Sequence, residues 1–112
     1  MEYSTDVQER EVPRKLKFLL FWIVQESVTN AVSHGKSSRI RIALAKVNHW
    51  LQLRIEDNGR GFNSAGKGEA LFHGIGLDYM QEQVESSGGI FSLRSISGGG
   101  TTIKAEWKLE GI

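Results

Sequence analysis

Residues 39–55 alternate between apolar and polar side chains with a period of two. Ile40, Ile42 and Leu44 face one way and Arg39, Arg41 and Ala43 the other; beyond Asn48-His49, Leu51, Leu53 and Ile55 alternate with Trp50, Gln52 and Arg54. Two such runs joined by a short turn predict a hairpin with one apolar face. That face must be covered, and the residues upstream offer a cover. Residues 14–34 read as one long helix, with Pro13 just before it and Gly35 where a left-handed cap belongs. A second helix is predicted to open at residues 73–77 and run to about residue 87. Leu77, Met80 and Val84 form its apolar side, and Gly88-Gly89 stops it. A second hairpin follows: strand 90–96, turn 97–100 and strand 102–109, with Ile103, Ala105 and Trp107 on one face. Residues 3–10 add an edge strand. The predicted architecture is α+β: a two-layer sandwich of a mixed, mostly antiparallel sheet with helices on one face.

The long helix carries two rows of interest. Glu26, Asn30 and His34 recur every four residues and form a polar ridge, with Val24, Val28 and Val32 almost opposite. A carboxylate, an amide and an imidazole in file suit a hydrated cation beside a phosphate; a polar stripe on a surface helix would look the same. The first half of the helix is apolar nearly all round, from Leu16 through Phe18, Leu19, Leu20, Phe21, Trp22 and Ile23. One apolar stripe would cover a sheet. Phe18, Phe21 and Trp22 therefore pack under another element of the domain or face a partner, and packing within the domain is the favoured expectation.

Composition removes several alternatives. A chain of 112 residues with 39% hydrophobic and 24% charged residues suits one compact domain. A formal net charge of +1 argues against a dedicated nucleic-acid binder. Without cysteine there is no disulfide or thiolate metal site, and His34, His49 and His73 lack zinc-ligand spacing. The apolar run at residues 18–24 is too short to span a bilayer, and no signal peptide is visible. Eleven of the 13 glycines fall between Gly59 and Gly100, which suggests backbone approaching a ligand in several loops.

Three glycine motifs stand out. Asp57-x-Gly59-x-Gly61 follows directly on a predicted strand; its carboxylate can accept from an exocyclic amine while the backbone lies flat against a ring, although an Asp-Asn-Gly turn explains it as well. Gly74-x-Gly76 at a helix start offers free amides to a phosphate. It lacks the third glycine of a dinucleotide fingerprint, and Gly66-Lys67-Gly68 lacks the ending of a Walker loop. Gly98-Gly99-Gly100-Thr101-Thr102 is a tight turn whose hydroxyls can reach a polar ligand, or a plain hairpin loop.

In order, Glu26-x-x-x-Asn30, Asp57-x-Gly59-x-Gly61, Gly74-x-Gly76 and Gly100-Thr101 closely resemble the ATP-binding domain of the GHKL superfamily: sensor histidine kinases, type II topoisomerases, Hsp90 and MutL. Gln25-Glu26-Ser27-Val28-Thr29-Asn30-Ala31-x-x-His34 looks like the nitrate/nitrite-sensor and desaturase-thermosensor kinases. The resemblance covers residues 16–109 and implies a Bergerat-type fold binding ATP and Mg²⁺. It implies that Asn30 is the side-chain ligand of Mg²⁺, that Glu26 orients a metal-bound water, and that His34 lies near the phosphates. Asp57 would accept from the adenine amine, with Gly61 packing near the base, Gly59 among the nucleotide-binding residues of the same motif, and Thr101 supporting Asp57. Gly74, Gly76 and Leu77 would belong to the phosphate side, and residues 63–72 to a mobile lid.

Two departures qualify the resemblance. Ser33 stands where many histidine kinases have a basic residue, so Lys36 or Arg60 is left to supply that charge. No phosphoacceptor histidine or dimerisation helices precede Pro13. The resemblance thus implies the cytoplasmic catalytic domain of a longer, dimeric two-component kinase. Such a domain passes the γ-phosphoryl group to a histidine on a separate dimerisation domain, from which a response regulator is served; any membrane attachment would lie in other parts of the protein. A serine kinase of the anti-sigma-factor type and a regulatory nucleotide-binding module are the alternatives.

Overall fold

The computed structural model describes residues 1–61 and 76–109. The predicted lid at 63–72, and Gly74 with it, lie outside the described residues. The elements are β1 (Glu2–Thr5), a short 3-10 turn (Glu9–Glu11), α1 (Arg14–Ser33), β2 (Ile40–Val47), β3 (Trp50–Asp57), α2 (Leu77–Ser86), β4 (Ile90–Ile96) and β5 (Gly100–Lys108). The five strands form one sheet in the order β1-β2-β3-β5-β4, with β1 parallel to β2 and every other pair antiparallel. This is the predicted mixed, mostly antiparallel arrangement.

Alternation decides which sheet face is dry. Ile40 and Ile42 of β2, Leu51, Leu53 and Ile55 of β3, and Ile103, Ala105 and Trp107 of β5 are buried in one cluster with residues of both helices. The register stacks them across strands: Ile42 opposite Ile55, Ile55 opposite Ile103, Leu53 opposite Ala105 and Leu51 opposite Trp107. Each large side chain in such a layer contributes about 1.5–3 kcal/mol of transfer free energy. The other face carries Arg54 paired with Glu56 and Lys104 with Glu106, partly exposed ion pairs of little stabilising value.

The helix α1 buries Leu16, Leu20, Ile23, Ser27 and Ala31. This stripe lies between the two rows read from the sequence, so the polar ridge borders the core. Val24 and Val28 pack against the core from the other border, while Val32 is exposed. Leu19 and Trp22 also reach the core. Trp22 meets Tyr79 of α2 edge to face, with ring centroids 5.5 Å apart. Phe18 and Phe21, however, are 88% and 66% exposed, which corrects the expectation that they pack within the domain. They project from the side of α1 turned away from the sheet, and α2 covers only the Trp22 side.

Two other expectations change. Gly35 does not take a left-handed conformation; Lys36 does, with φ 54°. Glycine is needed at 35 for space, because a Cβ there would lie 2.9 Å from the Ala31 carbonyl oxygen. The edge strand is also shorter than residues 3–10. After Thr5 the chain turns inward: Val7 donates to Thr5 Oγ1 at 3.0 Å, and Asp6 Oδ1 accepts from the Lys46 amide at 3.1 Å. Val7 is then buried. The second helix ends as predicted, with Gly88 at φ 86° and the Gly89 amide donating to the Val84 carbonyl at 2.9 Å.

Candidate functional site

At one end of the sheet, β3 and β5 finish side by side with Asp57 opposite Thr101. The C-terminal half of α1 crosses above them, and between helix and sheet lies a cavity of about 140 Å³. Its walls include Asn30, His34, Asp57, Gly61, Leu77 and Thr101 from the predicted set, together with Ser27, Ala31, Gly35, Ile55 and Ile103. The sequence separates these groups by more than seventy positions, from Ser27 to Ile103; the hairpin register and the helix crossing bring them together.

Asp57 is held firmly. Its Oδ1 accepts from Ser37 Oγ at 2.9 Å and from the Gly59 amide at 2.8 Å. Asn58 fixes the same corner from outside, its Oδ1 accepting from the amides of Ser38 and Arg39 at 3.0 and 2.9 Å. Oδ2 of Asp57 thus keeps its acceptor capacity while the carboxylate plane is set. Thr101 is oriented likewise: its Oγ1 lies 2.8 Å from Oγ of buried Ser95, which also contacts the Gly100 carbonyl at 3.2 Å.

The glycines act through close approach. Gly59 is buried, and a Cβ there would lie 2.6 Å from both the Gly35 carbonyl oxygen and Ser37 Oγ. It shapes the Asp57 turn and is not among the residues lining the cavity. Gly61 does line it, at φ 58°, with a Cβ position 2.7 Å from the Gly100 carbonyl oxygen. Gly76, at φ 77°, caps α2; a Cβ there would be 3.7 Å from Glu26 Oε2. Glu26 and Gly76 therefore neighbour each other outside the cavity wall, next to Leu77, which forms part of it. Lys36 is exposed and is not among the residues lining the cavity. His34 lies at the rim, lining the cavity while largely exposed.

Sequence reasoning missed Ser37, which orients Asp57 from twenty residues away. It also missed Ser27 and Ala31, although both follow ridge residues and turn further inward. Ile55 and Ile103 were within reach of the alternation rule, since each lies two residues from a predicted site residue on the same sheet face.

Residues 17–111 match the family described as histidine kinase-, DNA gyrase B-, and HSP90-like ATPase. The chain belongs to this ATPase family. It is an ATP-binding domain of that family, and sensor proteins are among its relatives. It is 35% identical over 106 residues to the sensor protein VraS of Staphylococcus saprophyticus, covering 95% of this chain and 30% of that protein. VraS of Staphylococcus aureus is 32% identical over the same length and coverage. The chain thus spans under a third of these relatives. The blue-light activated histidine kinase EL346 of Erythrobacter litoralis shares the ATPase-family fold at a TM-score of 0.76 and 21% identity, over 96% of this chain and 34% of that one. The ATP binding domain of PrrB from Mycobacterium tuberculosis follows at a TM-score of 0.65 and 21% identity, over 96% and 79%.

Proposed function

We propose that the cavity takes the adenine of ATP and that the phosphates leave it past Asn30 and His34 toward the start of α2. The observation that carries this reading is the fixed carboxylate of Asp57. Two donors occupy Oδ1, so Oδ2 can accept from an exocyclic amine, with Ile55 and Ile103 offering apolar surface to the ring. Guanine, with a carbonyl in place of that amine, would set oxygen against oxygen.

The donor set suits Mg²⁺. Asn30 supplies one amide oxygen at the cavity edge, and among the described residues no three His, Asp or Glu side chains gather to hold an ion unaided. Mg²⁺ commonly takes one or two protein ligands and completes its shell with phosphate oxygens and water. When bound it offsets the charge of those oxygens. Glu26, one turn before Asn30, is suited to orient a water near them, and the free amides of α2 beyond Gly76 add partial positive charge. Lys36 or Arg60 is the candidate for the remaining basic contact.

In this reading the chain is the catalytic domain of a cytoplasmic two-component kinase. The γ-phosphorus bond to the bridging oxygen of ADP breaks, and a bond to an imidazole nitrogen on a separate dimerisation domain forms. The phosphohistidine then serves a response regulator. The chain's own residues position ATP and neutralise charge, which is most of what such a transfer asks of a protein. The match to sensor proteins over 95% of the chain supports this reading above a serine kinase or a regulatory nucleotide-binding module. The test is to mix the chain with a dimerisation domain bearing its histidine, add labelled ATP and Mg²⁺, and measure acid-labile phosphoprotein. Acid-stable label, or binding without transfer, would favour one of the two alternatives.

A further inference from the structure

Ser27 holds the one buried side-chain polar atom without a hydrogen-bond partner among the described residues. It is 3% exposed and lies in the middle of the stripe that α1 turns to the core. A serine inside a helix usually relieves this situation by bonding back to the carbonyl four residues earlier. Here Oγ makes no such bond. Alanine would fill the same space, favour the helix and bury no polar group. The residue nevertheless lines the cavity, across from Asp57.

Asp57 can only accept. Thr101 Oγ1 shares its hydrogen bonding with Ser95 at 2.8 Å. An aminopurine presents both an amine that donates and ring nitrogens that accept, so a pocket built only on Asp57 would leave the ring nitrogens unanswered. Ser27 offers a rotatable O–H on the helix side of the same space.

We infer that Ser27 is a base-binding residue, its hydroxyl donating to a ring nitrogen of adenine directly or across a single water. The inference rests on the reading of this cavity as the adenine site. Adenosine is the probe, because it carries the base without phosphates or metal. In NMR titrations of the 112-residue chain, Ser27→Ala weakens adenosine binding roughly 3- to 10-fold, the worth of one neutral hydrogen bond. ADP affinity falls by the same factor, since the phosphates do not touch residue 27. The ligand-free variant melts at or above the wild-type temperature, because a buried unpartnered hydroxyl has been removed. Among 1-deaza-, 3-deaza- and 7-deazaadenosine, one analogue loses the contact and binds wild type and Ser27→Ala equally.

Several results would overturn the inference. Wild-type adenosine affinity in Ser27→Ala, alongside weakened binding in Asp57→Asn, removes Ser27 and leaves the adenine site standing. A lowered melting temperature of the free variant makes the residue structural. All three deaza analogues discriminating equally between the two proteins also rejects the contact. If wild type binds no adenosine, or Asp57→Asn binds it unchanged, the adenine reading falls and Ser27 falls with it.

Discussion

Ser37 Oγ donates to Asp57 Oδ1 at 2.9 Å, joining the loop after α1 to the end of β3. Together with the Gly59 amide on the same oxygen, this fixes the carboxylate before any ligand arrives. A fixed acceptor spends no binding energy on ordering itself. Asp57→Asn should weaken ATP binding by about 10- to 150-fold, the worth of a charge-assisted hydrogen bond of roughly 1.5–3 kcal/mol. Ser37→Ala should have a smaller effect in the same direction, since Gly59 still holds Oδ1. Calorimetric titration with ATP and GTP checks both; equal affinity for the two nucleotides in wild type would exclude the role given to Asp57.

Asn30 separates metal from base. Asn30→Ala should abolish the Mg²⁺-dependent part of ATP affinity and leave adenosine affinity nearly unchanged. Titrations of both ligands with and without Mg²⁺ provide the test. A parallel fall in adenosine binding would mean that Asn30 shapes the cavity instead.

Phe18 and Phe21 should be separable from both folding and nucleotide binding. Each is largely exposed, so Phe18→Ser or Phe21→Ser should change stability by no more than about 0.5 kcal/mol. Leu20→Ala, two residues from Phe18 but buried, should cost about 2–5 kcal/mol. Denaturant unfolding distinguishes these. In a longer kinase carrying its phosphoacceptor domain, the phenylalanine variants should retain ATP affinity and lose phosphoryl transfer, because the exposed aromatic surface is where that domain would dock.

Acid should loosen the N-terminal segment first, and by a small amount because its ion pairs are exposed. Glu2 is held below the ordinary glutamate value of 4.5 by the hydrogen bond from Arg39 and that residue's charge, with Arg41 adding to it. Glu11 is lowered by the Gln8 amide and then by Lys46. A lowered carboxylate contributes stability that is fully present above its ordinary value and is lost as pH falls through the lowered one. Hydrogen exchange below pH 4.5 should therefore show β1 losing protection while β3 and β5 keep theirs. Uniform loss across the sheet would assign the acid sensitivity elsewhere.

Much of this fold is local enough to read from sequence. Alternation placed β2 to β5 within two residues, and the paired glycines after Ser87 stopped α2 where expected. Asp57 is a candidate from sequence because Asp57-x-Gly59-x-Gly61 stands in order with the other motifs; alone, an Asp-Asn-Gly turn explains it as well. What escaped depends on neighbours distant in sequence. Nothing near Gly35 reveals that the Ala31 carbonyl crowds it, so the left-handed residue was placed one position early. The packing role of Gly59 is not legible beside it, because its partners, Gly35 and Ser37, belong to another loop. The parallel pairing of β1 with β2 and the exposure of Phe18 and Phe21 depend on where α2 and the first strand settle, which helical periodicity does not encode.

The edge-to-face contact of Trp22 with Tyr79 gives the domain a built-in optical gauge. Tyr79 sits two residues beyond Leu77 on α2, and Leu77 forms part of the cavity wall. Any displacement of α2 relative to α1 changes what the Trp22 indole faces, and with it the colour and intensity of its emission. Trp50 starts β3 at the opposite end of that strand from Asp57, and Trp107 is fixed by its Nε1 donating to Ser87 Oγ at 2.8 Å. Replacing Trp50 and Trp107 by phenylalanine would leave Trp22 as a single fluorophore that reports on the two helices flanking the cavity, without any attached label.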